Sequence, residues 1–287
     1  MDRKRIFITL VVLIIVGVGV YILPNILKKE PAPAPEPAPE KPVEIESIGT
    51  SVEGRNINRY SYETGEKHLV FVGAIHGGYE WNSALLSYEL IDYLNENQNT
   101  IPENIKVTVI PVLNPDGLYK IVGTTDRFAI SSVPPTEQTT SGRFNAKEVD
   151  LNRNFDCNWQ ATGTWRGNTV SAGTSAFSEP EARAFRDFIL KEKPTAVVMF
   201  HSASGAAYGS ECNAGILGET LAVMNTYSQT SGYPAIESFE AYPVAGDAEG
   251  WLAKMGIPAV TVELSTHETV EWEKNKLGIL ALFELYK

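Results

Sequence analysis

Four continuous apolar segments, separated by helical or polar stretches, constrain the fold of this chain most strongly. The segments are 68–76, 106–114, 195–203 and 258–265. Strands that are apolar on both faces are typical of parallel sheets covered by helices on each side. Helical patterns occur at 81–97, 178–193 and 270–286. The pattern predicts a single α/β domain with a mixed, mostly parallel central sheet flanked by helices on both faces.

A long polar stretch separates the second apolar segment from the next helix. Residues 114–178 are rich in Gly, Thr, Ser and Asn, and long loops in compact domains are usually functional. The helix that follows starts with Ser178 and Glu181, which have the spacing of a capping box. We therefore expect a functional loop that ends at a capped helix.

The N-terminal part differs in composition from the rest of the chain. Residues 1–5 are MDRKR, and the next eighteen residues carry no charge, a length that just suffices to cross a bilayer. We predict a cytoplasmic N-terminus at 1–5, a transmembrane anchor at 6–27, a Pro/Ala/Glu-rich linker at 28–44 and a folded domain at 45–287. A cleaved signal peptide is the alternative for the apolar segment. In either case the basic start places the domain outside the cytoplasm.

The charge balance and the cysteines limit the partners and the compartment. The formal net charge of −11 repels phosphate backbones, which argues against nucleic-acid binding. Cys157 and Cys212 lie in loop-like sequence. Outside the cytoplasm an even number of cysteines favours a disulfide, with two buried free thiols as the alternative.

Polar side chains occur at or near the ends of three of the predicted strands. His76 ends the first and His201 lies near the end of the third, while Glu263 lies near the end of the last. Ligands of such sheets bind at the carboxyl ends of the strands. Together with Glu80, the two histidines form a donor set that suits a catalytic zinc ion, although each residue alone could be structural.

Glu263 is a carboxylate within an apolar strand. Burying a charge there is costly unless the charge is paired or functional. Beside a metal-activated water it could act as a general base. A buried ion pair is the alternative.

The segment 148–156, EVDLNRNFD, contains Asn152 and Arg153 between apolar residues. A guanidinium beside an amide can hold a carboxylate, because arginine makes bidentate contacts with it. Taken alone, the segment could equally be a polar turn.

The chain resembles the zinc carboxypeptidases of the carboxypeptidase A and B type. The motifs that carry the resemblance are SIGTSVEGRNI, HGGYE, NPDG, VDLNRNF, FSEPE, FHSA and VTVELS. They occur in the order of the family, and the resemblance runs through nearly the whole of 45–286. The resemblance supports the fold predicted above and implies a bacterial-type, membrane-anchored member of the family.

The resemblance implies roles for the metal site and the base. His76, Glu80 and His201 would bind one Zn²⁺ per chain, and Glu263 would be the general base. Glu80 lies four residues after His76, whereas the motif of the family has three. Flanking glycines tolerate unusual dihedral angles and can absorb the insertion.

The resemblance also implies how a substrate would be held. Asn152, Arg153 and Tyr242 would bind the C-terminal carboxylate. Arg143 would polarise the scissile carbonyl, with Arg127 as the alternative. Position 203, where the animal enzymes carry a tyrosine, is alanine here, which should alter the substrate groove more than the chemistry.

Specificity is expected to depend on the segment YPVAGDAEGW. Glu249 aligns with the position that lines the pocket for the C-terminal side chain, and Asp247 lies nearby. Acidic groups there would favour Lys, Arg or a diamino acid. The alternative is that both are solvated loop charges.

The function predicted from the sequence is that of an extracytoplasmic, membrane-tethered zinc carboxypeptidase. It would act as a monomer on peptides with a free C-terminus. One alternative keeps the zinc site but acts on cell-wall stem peptides, and another is a small-molecule deacylase. A surface-tethered binding module without catalytic activity is the alternative from a different class.

Overall fold

The four apolar segments form the centre of an eight-stranded sheet in the computed structural model, which describes Leu13, 43–62, 64–240 and 242–287. The described strands are β1 Glu44–Thr50, β2 Asn56–Tyr62, β3 Lys67–Val72, β4 Ile105–Ile110, β5 Thr162–Trp165, β6 Asn168–Ser171, β7 Ala196–Ser202, β8 Ala207–Gly209, β9 Ala235–Ile236 and β10 Ala259–Leu264. Strands β5 and β6 form a separate hairpin. The others follow the order β1-β2-β4-β3-β7-β10-β8-β9.

The predicted mixed, mostly parallel sheet is confirmed. Its central strands β4, β3, β7 and β10 are parallel to one another. Strands β1 and β2 add an antiparallel edge, and β8 pairs antiparallel with β10 on the other side. The parallel centre brings the carboxyl ends of β3, β7 and β10 to one edge of the sheet.

Helices cover both faces of this sheet. The described α-helices are α1 Trp81–Glu96, α2 Pro115–Val122, α3 Thr136–Thr139, α4 Pro180–Glu192, α5 Gly218–Ser231, α6 Ala248–Lys254 and α7 Trp272–Tyr286. Alternate residues of β3 belong to different cores. Leu69 packs with side chains of α1, α5 and α7, whereas Val70 packs with those of α4 and α6. This alternation is why the strand sequence is apolar at nearly every position.

The central strands are shorter than their apolar segments. Strand β3 ends at Val72, and the chain turns after Ala74, whose φ is +48°. Gly73 allows a close approach to α1, because an added Cβ there would lie 2.5 Å from the Ser83 carbonyl oxygen. Residues Gly77–Glu80 then form a 3₁₀ turn before α1. His76 therefore lies in the connection to α1 and not on the strand itself.

The capping-box prediction for α4 was wrong. The helix starts at Pro180, and its N-cap residue Glu179 makes no side-chain capping hydrogen bond. Ser178 Oγ donates to the Glu179 carboxylate. The Glu181 carboxylate instead accepts the Val52 N–H at 3.0 Å and so holds the turn between β1 and β2. Tertiary contacts have taken both side chains away from the helix end.

The N-terminal predictions fall mostly outside the described residues. The predicted anchor at 6–27, apart from Leu13, and the linker up to residue 42 are not among them. Within the described ranges, no helix is both long and apolar enough to span a bilayer. A single compact unit comprises Lys41–Lys287, and β1 begins one residue before the predicted domain boundary.

The burial of His68 makes the stability of the folded domain depend on pH. Its buried ring shares a hydrogen bond with Thr108 Oγ1 at 2.9 Å. Burial, together with the nearby Lys106 ammonium, lowers the pKa of His68 to about 4. Between about pH 6.5 and pH 4 the unfolded chain binds the proton and the folded chain does not, so stability is lost as the pH falls.

We expect His68→Asn to flatten this pH dependence. Between pH 7.5 and pH 5 the wild type should lose about 2 kcal/mol more unfolding free energy than the variant. Urea unfolding of both proteins at several pH values would measure the difference. Parallel pH curves would show that His68 is not the group responsible.

Candidate active site

A cavity of about 650 Å³ opens at the carboxyl ends of the central strands. It gathers side chains from the turn before α1, the 114–178 loop, β7, α6 and β10. Ten residues predicted from the sequence line it, namely His76, Glu80, Arg143, Asn152, Arg153, His201, Tyr242, Asp247, Glu249 and Glu263. The convergence predicted from the strand ends is therefore present in the fold.

Three of these side chains form a buried group that can hold a metal ion. Donor atoms of His76, Glu80 and His201 all lie within 4.8 Å of one another. The extra residue in the motif is taken up by the 3₁₀ turn, where Gly77 has a φ of +47°. A Cβ at Gly77 would lie 2.5 Å from the Gly142 carbonyl oxygen. Glycine therefore lets Glu80 reach the two histidines despite the insertion.

The donor set fits zinc. Two imidazoles and one carboxylate make up a common protein ligand set for catalytic zinc. His76 Nδ1 is buried and has no hydrogen-bond partner among the described residues. Burial, with the nearby Arg143 charge, holds the pKa of His76 well below its usual range, and metal binding requires the neutral ring.

His201 lies between two carboxylates. Its Nδ1 is 3.1 Å from Glu80 Oε2, and its Nε2 is 2.9 Å from Glu249 Oε1. Burial alone would lower the pKa of His201, but the two carboxylates outweigh this effect and raise it well above the usual value. Each ring nitrogen therefore faces a negative charge, which fixes the orientation of the ring.

Glu263 faces the same cavity without a partner. On β10 it is in register with His201 of the neighbouring parallel strand β7. Its Oε2 is buried and has no hydrogen-bond partner among the described residues. Burial and the nearby Glu80 carboxylate raise the pKa of Glu263 to about 8. A carboxyl group held in this way is suited to taking up and releasing a proton.

The two candidate arginines lie in different places. Arg143 is buried, and its Nε donates to Asp150 Oδ2 at 2.9 Å. Its Nη1 lies 3.7 Å from the Glu80 carboxylate, so this end of the guanidinium faces the metal ligands. Arg127 pairs with Asp92 on the surface and does not line the cavity. Position in the fold thus favours Arg143 for contact with a reacting carbonyl.

Among the described residues, Arg153 makes no hydrogen bond to a carboxylate. The guanidinium donates to the backbone carbonyls of Asn152 at 2.6 Å and Thr164 at 3.2 Å. Its Nε is buried and unpaired within the described part of the chain. The ring of Tyr242 lies 6.0 Å from its Cζ. A buried cation with neutral partners favours an anionic ligand.

The two acidic residues predicted for the specificity pocket are inside the cavity. Asp247 accepts the Gly250 N–H and caps α6, and burial next to the Glu249 charge raises the pKa of Asp247 to about 6. Glu249 is buried and contacts His201 and the Thr261 hydroxyl. These side chains are therefore not solvated loop charges, and Glu249 also touches a metal-ligand candidate.

Sequence reasoning missed one wall of the cavity. Tyr79, Trp165, Arg166 and His267 line it. The His267 ring contacts Tyr79 Oη at 3.1 Å and Ser202 Oγ at 2.8 Å. Spacing alone could not associate these residues, since they come from three distant segments. The only signal was His267 itself, four residues after Glu263.

The predicted cysteine pair is joined in the structure. Cys157 and Cys212 form a disulfide with a Cα–Cα distance of 6.0 Å. It connects the segment that follows Arg153 to the loop that follows β8. Both segments border the cavity, so the bond ties two of its walls together.

A buried site of two histidines and one carboxylate, at the carboxyl edge of a mixed α/β sheet, defines the class of zinc-dependent hydrolases. The sequence model of the zinc carboxypeptidase family matches residues 38–277 of this chain. The chain belongs to the zinc carboxypeptidase family, and the resemblance of its motifs to that family is confirmed. That it is a bacterial-type, membrane-anchored member stays a prediction.

Named proteins with similar sequences agree with this family assignment. The chain is 30% identical over 235 residues to a zinc carboxypeptidase of Simulium vittatum, covering 74% of this chain and 75% of that protein. It is 29% identical over 247 residues to a carboxypeptidase B of Helicoverpa zea, covering 75% of this chain and 56% of that protein.

Solved structures share the fold. The murein-tripeptide amidase MpaA of Escherichia coli O157 superposes with a TM-score of 0.58 at 23% identity, covering 88% of this chain and 96% of that one. Bovine thrombin-activatable fibrinolysis inhibitor superposes with a TM-score of 0.66 at 20% identity, covering 85% and 88%. At these identities the likeness concerns the fold alone.

Proposed function

We propose that this chain is a zinc-dependent carboxypeptidase that hydrolyses the C-terminal peptide bond of peptides, with Glu263 as general base. The observation that carries the proposal is the placement of the Arg153 guanidinium in the same cavity as the His76–Glu80–His201 group. In the part of the chain that the structure describes, this guanidinium has no acidic hydrogen-bond partner. A free C-terminal carboxylate is the anion that such a cation would select. An endopeptidase would have no use for it.

Binding of the substrate begins at the terminal carboxylate. Arg153 would grip it with charge-assisted hydrogen bonds, and Asn152 and the Tyr242 hydroxyl would complete the clamp. Asn152 is held in place because its Oδ1 accepts the Ala248 N–H at 2.8 Å. The clamp then positions the last peptide bond beside the metal ligands and Glu263.

The chemistry would follow from the groups around that bond. Zinc held by the two histidines and Glu80 supplies Lewis-acid polarisation. Glu263 takes the proton from the attacking water and later delivers it to the departing amine. Arg143 Nη1, which faces the metal side, stabilises the negative charge that develops on the carbonyl oxygen. The proton taken from the water is the one delivered to the amine, so the single carboxyl group of Glu263 serves both transfers.

The terminal side chain is proposed to be basic. Asp247 and Glu249 place two carboxylates in one partly apolar pocket, and a cation between them would relieve their mutual repulsion. Lysine, arginine or the free amino group of a diamino acid would supply that cation. A pocket that accepts a diamino acid would also suit cell-wall stem peptides. Among the alternative functions, the acidic pocket therefore favours the one that acts on these peptides.

We also propose that the domain works outside the cytoplasm as a monomer, tethered by an anchor at 6–27. The disulfide between Cys157 and Cys212 supports an oxidising compartment. Comparing the membrane and soluble fractions of cells that produce the full chain would test the tether.

Zinc-loaded protein should remove single C-terminal residues from short peptides. Peptides that differ only in the last residue would be followed by mass spectrometry, each as the free acid and as the C-terminal amide. We expect hydrolysis of the free acids, loss of activity with a chelator, and at least about 100-fold slower cleavage of the amides, because Arg153 loses its ionic partner. Equal cleavage of acid and amide would contradict the carboxylate clamp.

Asp247→Asn should reduce the preference for a basic terminal residue. Asparagine caps a helix as well as aspartate does, so α6 should stay in place while one negative charge is lost. We expect the ratio of kcat/KM for terminal Lys over terminal Ala to fall roughly 10-fold. Asp187→Asn on the exposed side of α4 is the matched control. An unchanged ratio would exclude Asp247 from the pocket.

A further inference from the structure

The hairpin of β5 and β6 carries an arginine in an unfavourable position. Arg166 and Gly167 form its two-residue turn, flanked by the paired residues Trp165 and Asn168. Their φ angles are +50° and +80°, and a turn with two positive φ angles usually has Asn-Gly. An arginine in the left-handed region is strained, and such strain is concentrated at functional sites.

Arg166 presents its charge to the cavity. Its Nη1 donates to Tyr79 Oη at 3.4 Å, and its Cζ lies 6.0 Å from the Trp165 ring. Among the described contacts of its guanidinium, none is with a carboxylate. Arg166 resembles Arg153 in this respect, since both line the cavity with neutral partners, although Arg153 is buried and Arg166 is exposed at the rim. One clamp for the terminal carboxylate does not account for a second such cation.

Both arginines adjoin strand β5, since the Arg153 side chain contacts it and Arg166 lies in the turn that follows it. Arg153 donates to the Thr164 carbonyl on β5, and Arg166 follows two residues later. Two residues of an extended strand span about 7 Å, and two residues of a bound peptide would cover a similar length. With Arg153 at the terminal carboxylate, Arg166 is placed to meet the residue before it.

The surroundings of Arg166 border the metal ligands. Tyr79 immediately precedes Glu80, and Ser202 immediately follows His201. His267 bridges these two neighbours through the Tyr79 and Ser202 hydroxyls. This wall therefore adjoins the metal-ligand group, beside which the scissile bond would lie.

We propose that Arg166, together with Tyr79 and His267, forms a subsite for a second carboxylate, carried by the residue that precedes the scissile bond. The inference rests on the proposed carboxypeptidase function. Two sources can supply that carboxylate. It is either the side chain of an acidic residue in normal linkage or the free α-carboxylate of a glutamate linked through its γ-carboxyl group.

The test compares three peptides that end in lysine. They are acetyl-Ala-Glu-Lys, acetyl-Ala-Gln-Lys and the γ-linked isomer of the first, with kcat/KM measured for each. The wild type should prefer one carboxylate-bearing peptide over the glutamine peptide by about 10- to 100-fold, the range for a hydrogen bond between charged groups. The preferred isomer identifies the source of the carboxylate.

Arg166→Asn is the informative variant, because asparagine suits the turn and removes the charge. We expect it to abolish the preference while its thermal midpoint stays at or above that of the wild type. Arg166→Lys should restore part of the preference. Arg183→Asn, on α4 outside the cavity, is the matched control and should keep the preference.

Two outcomes would overturn the subsite alone. One is hydrolysis of all three peptides at equal rates by the wild type, and the other is a preference that survives in Arg166→Asn. Failure of the wild type to hydrolyse any of the peptides would overturn the carboxypeptidase proposal, and the subsite with it.

Discussion

Glu263→Gln is expected to lower kcat by about 10³- to 10⁴-fold, near the upper end for loss of a general base. Glutamine keeps the size of the side chain but cannot take a proton from water. Because Glu263 is not one of the three grouped metal ligands, zinc binding should remain. Steady-state kinetics on a C-terminal lysine peptide, with zinc content measured on the same sample, would separate the two effects.

The control for this prediction is Glu268→Gln, an exposed carboxylate five residues further along. It should retain wild-type kinetics. Full turnover by Glu263→Gln with zinc bound would assign the base to another residue. Equal binding of peptides by both proteins, with no turnover by the wild type, would instead support the non-catalytic binding module.

Glu80→Gln is expected to weaken zinc binding by at least about 100-fold, since even residues that only orient the ligands contribute 10- to 100-fold. The variant removes the one carboxylate from the donor group of His76, Glu80 and His201. Competition with a chromophoric chelator would give the affinity. The gain in thermal midpoint on adding zinc should shrink in parallel.

Glu96→Gln, at the exposed C-terminal end of α1, is the matched control. This pair of variants addresses the altered motif directly. If Glu80→Gln kept the wild-type affinity for zinc, the inserted residue would have displaced Glu80 from the metal. The carboxylate would then serve to pair with His201 and to hold the Ser202 N–H, which it accepts at 3.2 Å.

The parallel centre of the sheet could be predicted from the sequence because both faces of each strand are buried. Leu69 and Val70 are adjacent in sequence and belong to opposite cores, so apolarity at every position is a direct consequence of the architecture. Where strands end was less predictable. Strand β3 stops four residues before His76, because the chain turns after Ala74, whose φ of +48° the apolar pattern does not indicate.

The metal donors could be predicted because parallel strands bring their ends to one edge. The family motifs then supplied the partners that spacing alone could not. Local rules were less successful where long-range contacts competed with them. Ser178 and Glu181 have the spacing of a capping box, yet Glu181 binds the Val52 N–H, 129 residues away in sequence.

The sequence by itself determined the sheet, the histidines and carboxylate suited to zinc, the carboxylate of Glu263 within an apolar strand and the basic residues available for a carboxylate. Only the tertiary structure decided which arginines reach the cavity. Arg143 enters it and Arg127 pairs with Asp92 at the surface. The tertiary structure also placed Arg166 at the rim of the cavity, because β5 and β6 fold back against Arg153. The physical reason is that a charge acts over a few ångströms of space, and such distances are set by packing between segments far apart in the chain.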